Sequence, residues 1–392
     1  MKIKNLAYTF LLLSFLACST REKNKLELIL EGGSKDFQEV LNNPRREVQI
    51  LYGEIVDDSI IHHTYQLRND VYFYPASTVK MPVAFAAIKK AQELGISLDS
   101  PLIIDSTKIY PRNLHDDAIH GGPITISKLI QSIFTVSDNT AYNILFGWLG
   151  KDYINNLYSS IGIDTRIVHQ LGENAFSFDP VSNEYSRKAM IVKSGNDTLT
   201  FKEQPQKFSP KYSLEKEIKG KGYINAQGNQ VSEPFDFSQK NYVSLEGLVT
   251  ILERALMPEF FSAKQSFDFT DSTELFLVNT MDMLPKNMPA PFDTLPDNYV
   301  KFLHYGNASN VDIPSTTKIR NKVGWAYGYL SDVEYFEDTQ HDVRFFLAAV
   351  IHVNENDIYN DGKYQYKTVG LPFLDELGDL VYAKELNELN RP

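Results

Sequence analysis

Cysteine is nearly absent from this sequence: Cys18 is the single one among 392 residues. The chain therefore has no internal disulfide, and it lacks the cysteine ligands of structural zinc sites. The motif H-E-x-x-H is also missing. The stretch "NLHDDAIHGG" contains His115, Asp116, Asp117 and His120, which are residue types that bind zinc, but glycines and a proline follow at once. We interpret it as a surface loop, and we expect no metal and no cofactor.

Clusters of basic residues are missing as well. The chain has 50 acidic against 39 basic residues, a net charge of -11. Because a protein that binds nucleic acid gathers lysine and arginine on one surface, nucleic acid is not an expected partner. With 43% hydrophobic residues the chain can bury a full core, and its length allows two or three lobes.

There is one long hydrophobic run, from Leu6 to Ala17, and it follows two lysines. The run is too short to span a bilayer comfortably, but it has the composition of an export signal. Since Cys18 follows "FLA" directly, residues 1–18 resemble a bacterial lipoprotein signal. That resemblance implies a lipid anchor on Cys18 and an exported protein that faces the periplasm or the cell surface. The alternative is an ordinary secretory signal with an incidental cysteine.

The stretch "YFYPASTVKMPVAFAAIKKAQELG" places Ser77 three residues before Lys80, at the start of an apolar, alanine-rich helix. This S-x-x-K pattern occurs three times: Ser77 with Lys80, Ser213 with Lys216, and Ser315 with Lys318. Only the first occurrence opens a long apolar helix, where a three-residue offset brings both side chains to one face, about 5 to 6 Å apart at Cβ.

Serine needs a neighbouring base to become a good nucleophile, and a desolvated lysine can lose its charge and act as that base. A helix that opens at Ser77 would also direct backbone N–H groups at a developing oxyanion. The alternative is an ordinary serine near a helix start with a lysine that extends its ammonium group to solvent.

Two further stretches bear on this choice. In "TISKLIQSIFTVSDNTAYNILFGWLG", Ser137 and Asn139 flank an aspartate between two apolar helices, which by itself is typical of a helix cap and turn. The stretch "RNKVGWAYGYLSDVEYF" contains Lys322 and Gly324, and we interpret it as one arm of a hairpin whose other arm is "HDVRFFLAAVIHV". A glycine there would let a ligand approach the strand closely.

Together the three stretches resemble the serine β-lactamase and penicillin-binding superfamily, and class A β-lactamases in particular. That family carries S-x-x-K, S-D-N and K-T-G in this order. Here they read Ser77-Thr78-Val79-Lys80, Ser137-Asp138-Asn139 and Lys322-Val323-Gly324. The resemblance covers roughly residues 45–180 and 240–355.

The resemblance implies a role for each matching residue. Ser77 would attack a carbonyl, with Lys80 as its proton acceptor directly or through a water. Ser137 would relay a proton to the leaving nitrogen, and Asn139 would hold Lys80 and the substrate amide.

The third motif would bind the substrate. Lys322 would face the substrate carboxylate, and Gly324 would let the substrate approach the strand. The backbone N–H groups of Ser77 and Trp325 would form the oxyanion hole.

Two departures from the family pattern concern the substrate carboxylate and the release of the acyl group. Val323 replaces a hydroxyl residue that in the family helps to hold the substrate carboxylate. Class A enzymes also carry a glutamate, with an asparagine four residues on, that positions the hydrolytic water. Glu173 is the candidate for that base here, but Ser177 stands four residues later. The alternative for Glu173 is a solvated loop carboxylate.

The resemblance implies an α/β fold of the α+β type. An antiparallel sheet flanked by helices would form from residues 19–105 and 310–392, and a mainly helical lobe from residues 106–309, with the site in the cleft. Residues of about 180–238 are predicted to form a β-rich insertion, either a lid or a scaffold element. Residues 284–302 are predicted to be a loop on the helical lobe.

Three functions are compatible with these observations. The first is a serine hydrolase of the class A β-lactamase type that forms an acyl-enzyme on Ser77 and hydrolyses a β-lactam or a related amide. The second is a penicillin-binding-like D,D-peptidase, amidase or esterase. The third is a cell-envelope binding protein that turns over little. We expect a monomer that acts on a small β-lactam or peptidoglycan-like acyl substrate.

Overall fold

The computed structural model describes residues 22–109, 122–172, 183–194, 197–210 and 213–389. At its centre lies a five-stranded antiparallel sheet, whose strands come from both ends of this part of the chain. Helices cover both faces of the sheet. The α/β fold class that the sequence predicts is therefore confirmed.

The described α-helices are α1 Lys25–Leu30, α2 Lys35–Leu41, α3 Lys80–Glu93, α4 Ile126–Val136, α5 Asn139–Leu149, α6 Lys151–Ser160, α7 Leu245–Leu256, α8 Asp271–Met281, α9 Phe302–Tyr305 and α10 Leu371–Leu389. The described strands are β1 Gln49–Val56, β2 Ser59–Tyr65, β3 Leu102–Ile104, β4 Thr165–Arg166, β5 Ala189–Ser194, β6 Asp197–Phe201, β7 Ile218–Lys219, β8 Gly222–Ile224, β9 Gln230–Val231, β10 Phe235–Asp236, β11 Tyr242–Val243, β12 Thr317–Ala326, β13 Tyr329–Asp338, β14 Val343–His352 and β15 Ile358–Tyr359. The central sheet has the order β12-β13-β14-β1-β2.

The hairpin around Lys322 differs from the sequence-based interpretation. The stretch that was expected to form one arm is itself a hairpin, β12 and β13, and β14 is a third strand. Tyr327 and Gly328 form the two-residue turn, with φ of 53° and 80°. Two successive left-handed residues give the tight turn that joins antiparallel strands most directly. The expectation of a single arm was therefore wrong, and β12 becomes an edge strand of the sheet.

The two faces of the sheet bury different apolar clusters. One face packs against the terminal helices, with side chains of α1, α2, α9 and α10. The other face packs against α7, which contacts β1, β13 and β14. Beyond α7 lies α3, whose contacts with α4, α5 and α6 make it the centre of the helical layer. Ala84, Ala86 and Ala87 on α3 are fully buried, and such small side chains let the neighbouring helices approach closely.

The segment of about 180–238 contains short strands, as its residue pattern predicts. Its strands also pair with other parts of the chain, since β5 pairs with β3, and β8 pairs with β15. Phe235 and Phe237 each lie 5.4 Å, centroid to centroid, from the Tyr327 ring in the β12–β13 turn. This packing favours the scaffold interpretation for residues 213–238.

Several sequence-based predictions concern residues outside the described ranges. These are the signal with Cys18, the stretch from His115 to His120, and Glu173. Within the described ranges, no helix combines the length and the apolar character that a bilayer crossing requires. The same ranges contain no group of three acidic, histidine or cysteine side chains that could bind a metal ion.

An ion pair between the sheet and α7 predicts pH-dependent stability. His62 Nε2 lies 2.7 Å from Oε1 of the buried Glu253. This hydrogen bond and the charge of Glu246 raise the pKa of His62, although burial opposes the shift. Because the folded state favours the charged imidazole, the stabilisation is complete below the ordinary histidine pKa of about 6.5 and is lost as the pH rises through the raised value.

We therefore expect His62→Leu to lower the free energy of unfolding by about 1.5 to 3 kcal/mol at pH 6, since it removes a hydrogen bond to a charged partner. The difference in the free energy of unfolding between His62→Leu and the unsubstituted protein should become smaller as the pH rises. Urea unfolding of both proteins at a series of pH values measures it. A difference that does not change with pH would contradict the assignment.

Candidate active site

Ser77 lies in a short 3-10 turn, Ala76–Val79, that leads into α3. The sequence predicts that the α-helix opens at Ser77, but the helix begins at Lys80. Ala76, directly before Ser77, has a φ of 49°, which is a left-handed conformation. Such backbone strain in a residue other than glycine is found mainly where the surrounding structure enforces it, often at functional sites. Ser77 is half-buried, and Thr78 Oγ1 donates a hydrogen bond of 2.7 Å to Pro75 O within the same turn.

Lys80 is fully buried at the first turn of α3. Its ammonium group donates hydrogen bonds to the backbone oxygen of Ser137 and, over 3.2 Å, to Ser137 Oγ. Burial lowers the pKa of Lys80 to about 7, although the charge of Asp138 opposes the shift. A large fraction of Lys80 is therefore neutral at neutral pH, which is the state that a proton acceptor needs.

Ser137 occupies the junction between α4 and α5. It ends α4 in the left-handed conformation, with a φ of 56°. Asp138 caps α5, and its Oδ1 accepts the N–H groups of Thr140 at 2.7 Å and Ala141 at 3.3 Å. The S-D-N stretch is therefore a helix cap and turn, as its residue types suggest, and the same turn also holds Ser137 beside Lys80.

Lys322 approaches the same serine from β12. Its Nζ donates a hydrogen bond of 2.8 Å to Ser137 Oγ and another of 3.1 Å to Val323 O. Burial, together with the charges of Lys80 and Lys301, holds the pKa of Lys322 well below its ordinary value, although Asp332 opposes the shift. The Ser137 oxygen thus accepts hydrogen bonds from two lysines and keeps its own proton free to donate.

Gly324 lets β12 pass directly beside the turn that contains Ser77. A Cβ atom at this position would lie 2.5 Å from Pro75 O and 2.6 Å from Ser331 Oγ. Only glycine fits this contact without a shift of backbone. Trp325, the next residue, has an exposed side chain.

Asn139 differs from what the family resemblance implies. It is the first residue of α5, and its side chain is exposed. Among the described residues it makes no hydrogen bond to Lys80, whose ammonium group donates to Ser137. The structure thus brings together Lys80, Ser137 and Lys322 beside the turn of Ser77. The assigned roles of all these residues stay predictions.

Comparison with known proteins supports a relationship. A sequence profile described as the Beta-lactamase enzyme family matches residues 34–363. This chain belongs to that family. It is 31% identical over 99 residues to a beta-lactamase of Rhodobacter capsulatus, covering 25% of this chain and 34% of that protein. It is 27% identical over 177 residues to beta-lactamase ROB-1 of Haemophilus influenzae, covering 42% of this chain and 54% of ROB-1.

Solved structures give the same fold. The TLA-3 extended-spectrum beta-lactamase matches with a TM-score of 0.53 and 15% identity, covering 92% of this chain and 99% of the other. A mutant of PBP-A, solved as an acyl-enzyme complex with penicillin G, matches with a TM-score of 0.51 and 14% identity, covering 92% of this chain and 96% of the other. At these identities the likeness establishes the fold alone.

One departure of this family member lies in the segment after α6. Asn143 is fully buried on α5 and forms two hydrogen bonds of 2.8 Å with the backbone of Leu171. Its Nδ2 donates to Leu171 O, and its Oδ1 accepts the N–H of Leu171. The segment from Thr165 to Gly172 contains no acidic residue. A carboxylate that activates water would therefore have to come from another segment, such as the one with Glu173.

His169 in that segment is not a candidate base. Burial lowers the pKa of His169 to about 3, so its ring is neutral. Its Nε2 accepts the N–H of Asn241 at 3.0 Å, and its Nδ1 therefore donates to Gln170 O at 2.6 Å. Both nitrogens are occupied by backbone groups, which indicates a structural role.

A buried polar network behind Lys322 escaped the sequence-based prediction. Lys301 Nζ donates to Ile319 O at 2.6 Å and to Asn321 Oδ1 at 2.7 Å, and Asn321 Nδ2 donates to Asp332 Oδ1 at 2.8 Å. Lys301 belongs to the segment predicted as a loop on the helical lobe. Lys301 is a loop residue, as predicted, but its ammonium group packs against β12 of the central sheet and not on the helical lobe, so that part of the prediction was wrong.

Cavities alone do not identify this site. A cavity of about 510 Å³ is lined by residues that include Asp70, Asp164, Glu246 and Arg254. Another, of about 520 Å³, is lined by residues that include Asp152. Neither contains a residue of the three motifs. We identify the candidate site from the two lysines that meet at Ser137, and not from the volume of a cavity.

The contact at Gly324 yields a prediction. Gly324→Ala should force β12 away from the Pro75 carbonyl, and overpacking of this kind costs about 1 to 3 kcal/mol. We expect a lower midpoint of urea unfolding and a greater loss of reactivity at Ser77 than the stability change explains. Ser331→Gly should restore part of the stability, because it removes the second contact. Unchanged stability in Gly324→Ala would contradict the described packing.

Proposed function

We propose that this protein is a serine hydrolase of the β-lactamase type that forms an acyl-enzyme on Ser77. The observation that carries the proposal is the hydroxyl of Ser137, which accepts hydrogen bonds from both Lys80 and Lys322. This arrangement supplies a buried base, a proton donor and a cation next to a strained turn with a half-buried serine. These are the parts that acyl transfer needs.

The first step is attack of Ser77 Oγ on the substrate carbonyl. Neutral Lys80 takes the serine proton, and the carbonyl electrons form an oxyanion. The backbone N–H groups of Ser77 and Trp325 are the proposed donors to that oxyanion.

Collapse of the oxyanion breaks the bond between carbon and nitrogen. The leaving nitrogen takes the proton of Ser137, and Lys80 returns the proton to Ser137 across their hydrogen bond of 3.2 Å. Lys322 is the proposed partner of the substrate carboxylate. Water then attacks the ester and regenerates Ser77.

The proposed substrate is a β-lactam or a related amide that carries a carboxylate. A second candidate is a penicillin-binding-like enzyme that keeps its acyl group for a long time. The absence of any acidic residue between Thr165 and Gly172 favours it, because hydrolysis of the ester needs an activated water. Glu173 is the proposed base if hydrolysis is fast.

The proposed location is outside the cytoplasm. The signal-like residues 1–18 support export, and Cys18 would carry a lipid that attaches the protein to a membrane. Labelling of growing cells with a fatty acid, with Cys18→Ala as the control, tests this proposal.

The main prediction concerns a covalent adduct. We expect a form that lacks residues 1–18 to gain the mass of one penicillin molecule on mixing, and Ser77→Ala to gain none. Intact mass spectrometry over time measures this. Ser213→Ala is the matched control, because it removes a serine from another S-x-x-K pattern and should leave the adduct unchanged.

The lifetime of the adduct separates the candidates. If the adduct disappears within minutes and the penicillin is consumed, the hydrolase is supported. Glu173→Gln should then lengthen the lifetime of the adduct. A persistent adduct supports the penicillin-binding-like candidate. An adduct on Ser77→Ala, or none on the unsubstituted protein with any acyl compound, would refute acyl transfer at Ser77.

The pKa of Lys80 predicts a pH profile. Because the lowered pKa is about 7, Lys80 should gain a proton as the pH falls through 7 and cease to act as a base. The acylation rate should fall about tenfold per pH unit below that value and level off above it. Stopped-flow kinetics from pH 5 to 9 measures the profile.

Lys240 provides a matched control for this profile. Burial also lowers the pKa of Lys240 to about 7, but Lys240 belongs to none of the three motifs. Lys240→Met should leave the midpoint in place, whereas Lys80→Met should abolish acylation. If the midpoint of the pH profile shifts in Lys240→Met, the titration belongs to Lys240 and not to Lys80.

A further inference from the structure

The inserted segment places one phenylalanine ring at the centre of an aromatic cluster. Phe237 follows β10 directly, and its side chain is fully buried. Its ring lies within 6.1 Å, centroid to centroid, of five other rings, which belong to Tyr72, Tyr74, Phe235, Tyr327 and Tyr359. Because these residues come from separate parts of the chain, Phe237 joins segments that are distant in sequence.

Two of these rings belong to the segments that form the candidate site. Tyr74 precedes Ser77 by three residues, and Tyr327 follows Trp325 by two residues. The two tyrosine rings meet edge to face at 4.8 Å, and Phe237 lies 6.1 Å from Tyr74 and 5.4 Å from Tyr327. Aromatic rings at such separations attract each other. This aromatic triangle of Tyr74, Tyr327 and Phe237 therefore connects the segment before Ser77 with the segment after Trp325.

Both connected segments contain a left-handed residue that is not glycine. The φ of Ala76 is 49°, and the φ of Tyr327 is 53°. Conformations of this kind persist where the surrounding structure holds them. Tyr327 is itself a member of the aromatic triangle, and Ala76 lies two residues after Tyr74. The triangle thus packs on backbone whose conformation depends on its surroundings.

A second contact joins the same two segments on the other side of Trp325. A Cβ atom at Gly324 would lie 2.5 Å from Pro75 O, so β12 passes directly beside the segment that leads to Ser77. In the sequence, Trp325 lies between this contact and the aromatic triangle. The two contacts together determine how far the backbone N–H of Trp325 lies from that of Ser77.

The backbone of Phe237 is fixed by the inserted segment. Its N–H donates to Glu217 O at 2.8 Å, and its carbonyl oxygen accepts the N–H of Lys240 at 2.9 Å. The segment is attached to the rest of the chain, since Lys219 Nζ lies 2.7 Å from Glu47 Oε2 and β8 pairs with β15. A ring with such support keeps its position, and a precise site needs support of this kind.

We propose that Phe237 is a positioning residue for acyl transfer at Ser77. Its ring holds Tyr74 and Tyr327 together and so fixes the spacing of the two proposed oxyanion-hole N–H groups. The proposal rests on the proposed function of the Ser77 site. It gives the inserted segment a part in the reaction, as a support for the oxyanion hole and not as a lid.

The expected effect of Phe237→Leu is on the rate of acylation at saturating substrate. Oxyanion-hole donors act on charge that develops in the transition state, so a wrong spacing slows the chemical step more than it weakens substrate binding. A misplacement of about 1 Å can cost on the order of a hundredfold in rate. We expect the limiting acylation rate to fall about tenfold or more, with little change in the dissociation constant of the non-covalent complex.

Both quantities come from one experiment. The form that lacks residues 1–18 is mixed with a penicillin at a series of concentrations, quenched after short times and measured by intact mass spectrometry. The limiting rate at high concentration reports the chemical step, and the concentration at half of that rate reports binding. A limiting rate that is the same in Phe237→Leu as in the unsubstituted protein would overturn the proposal.

Phe267→Leu is the matched control. Phe267 is also buried in the same apolar cluster, and its ring contacts three others, those of Phe85, Tyr158 and Phe269. None of these belongs to the aromatic triangle. Phe267→Leu should lower the midpoint of urea unfolding as Phe237→Leu does, but it should leave the limiting acylation rate in place. Equal losses of this rate in the two variants would show a general effect of core packing and refute the positioning role.

A pair of variants at Tyr74 tests the aromatic triangle from its other side. Tyr74→Leu should lower the limiting acylation rate, and Tyr74→Phe, which keeps the ring, should restore most of it. This pair decides the proposal if Phe237→Leu does not fold. Equal rates in the two Tyr74 variants would overturn it, because the ring would then have no effect of its own.

Hydrogen exchange keeps the test independent of acylation. In Phe237→Leu without ligand, peptides that contain residues 74–79 and 324–330 should exchange their amide hydrogens faster than in the unsubstituted protein, and in Phe267→Leu they should not. If no penicillin acylates the unsubstituted protein, the proposed function is wrong, and exchange alone decides the role of Phe237. Unchanged exchange of both peptides in Phe237→Leu would overturn that role.

Discussion

The structure around the candidate site depends on one constraint: two buried lysines share the hydroxyl oxygen of one serine. Lys80 and Lys322 come from elements far apart in the chain, and they meet at Ser137 Oγ at 3.2 and 2.8 Å. In these buried surroundings the charge of Lys80 lowers the pKa of Lys322, because two positive charges so close together repel each other. The same repulsion makes the site a good one for an anion. A bound substrate carboxylate would offset this positive charge. Substrate binding would therefore also change the pKa of Lys80.

The surrounding fold satisfies this constraint from three directions. The 3-10 turn Ala76–Val79 places Ser77 ahead of α3, the left-handed Ser137 ends α4, and Gly324 lets β12 pass within contact of Pro75. Behind β12, burial and the charge of Glu334 raise the pKa of Asp332 to about 7, and Lys301 opposes the shift. The charge of Asp332 in turn raises the pKa of Lys322 and so favours the charged form of this lysine. The hydrogen bonds of Asp332 to α9 also fix the strand.

The sequence predicted the parts of the site that depend on local pattern. The S-x-x-K stretch before an alanine-rich helix, the cap at Asp138 and the glycine of the third motif could all be found because each has a short-range cause. The turn at Tyr327 was missed, since tyrosine seldom adopts a left-handed conformation. Lys301, Asn143 and the exposed position of Asn139 were missed for another reason. Their partners are distant in sequence, so only tertiary packing determines what they contact.

The departures from the family pattern concern substrate binding and hydrolysis. In the proposed mechanism the described residues supply the groups that acylation uses, whereas Val323 and the acid-free segment up to Gly172 would alter how the substrate carboxylate is bound and how water is activated. These are separable properties, because acylation and hydrolysis use different protons. In the proposed mechanism Lys80 is neutral again once it has returned the proton to Ser137, so it is a further candidate for the base that activates water. The lowered pKa of Lys80 suits that proposed role at neutral pH, and a carboxylate base would then speed hydrolysis without being required for it.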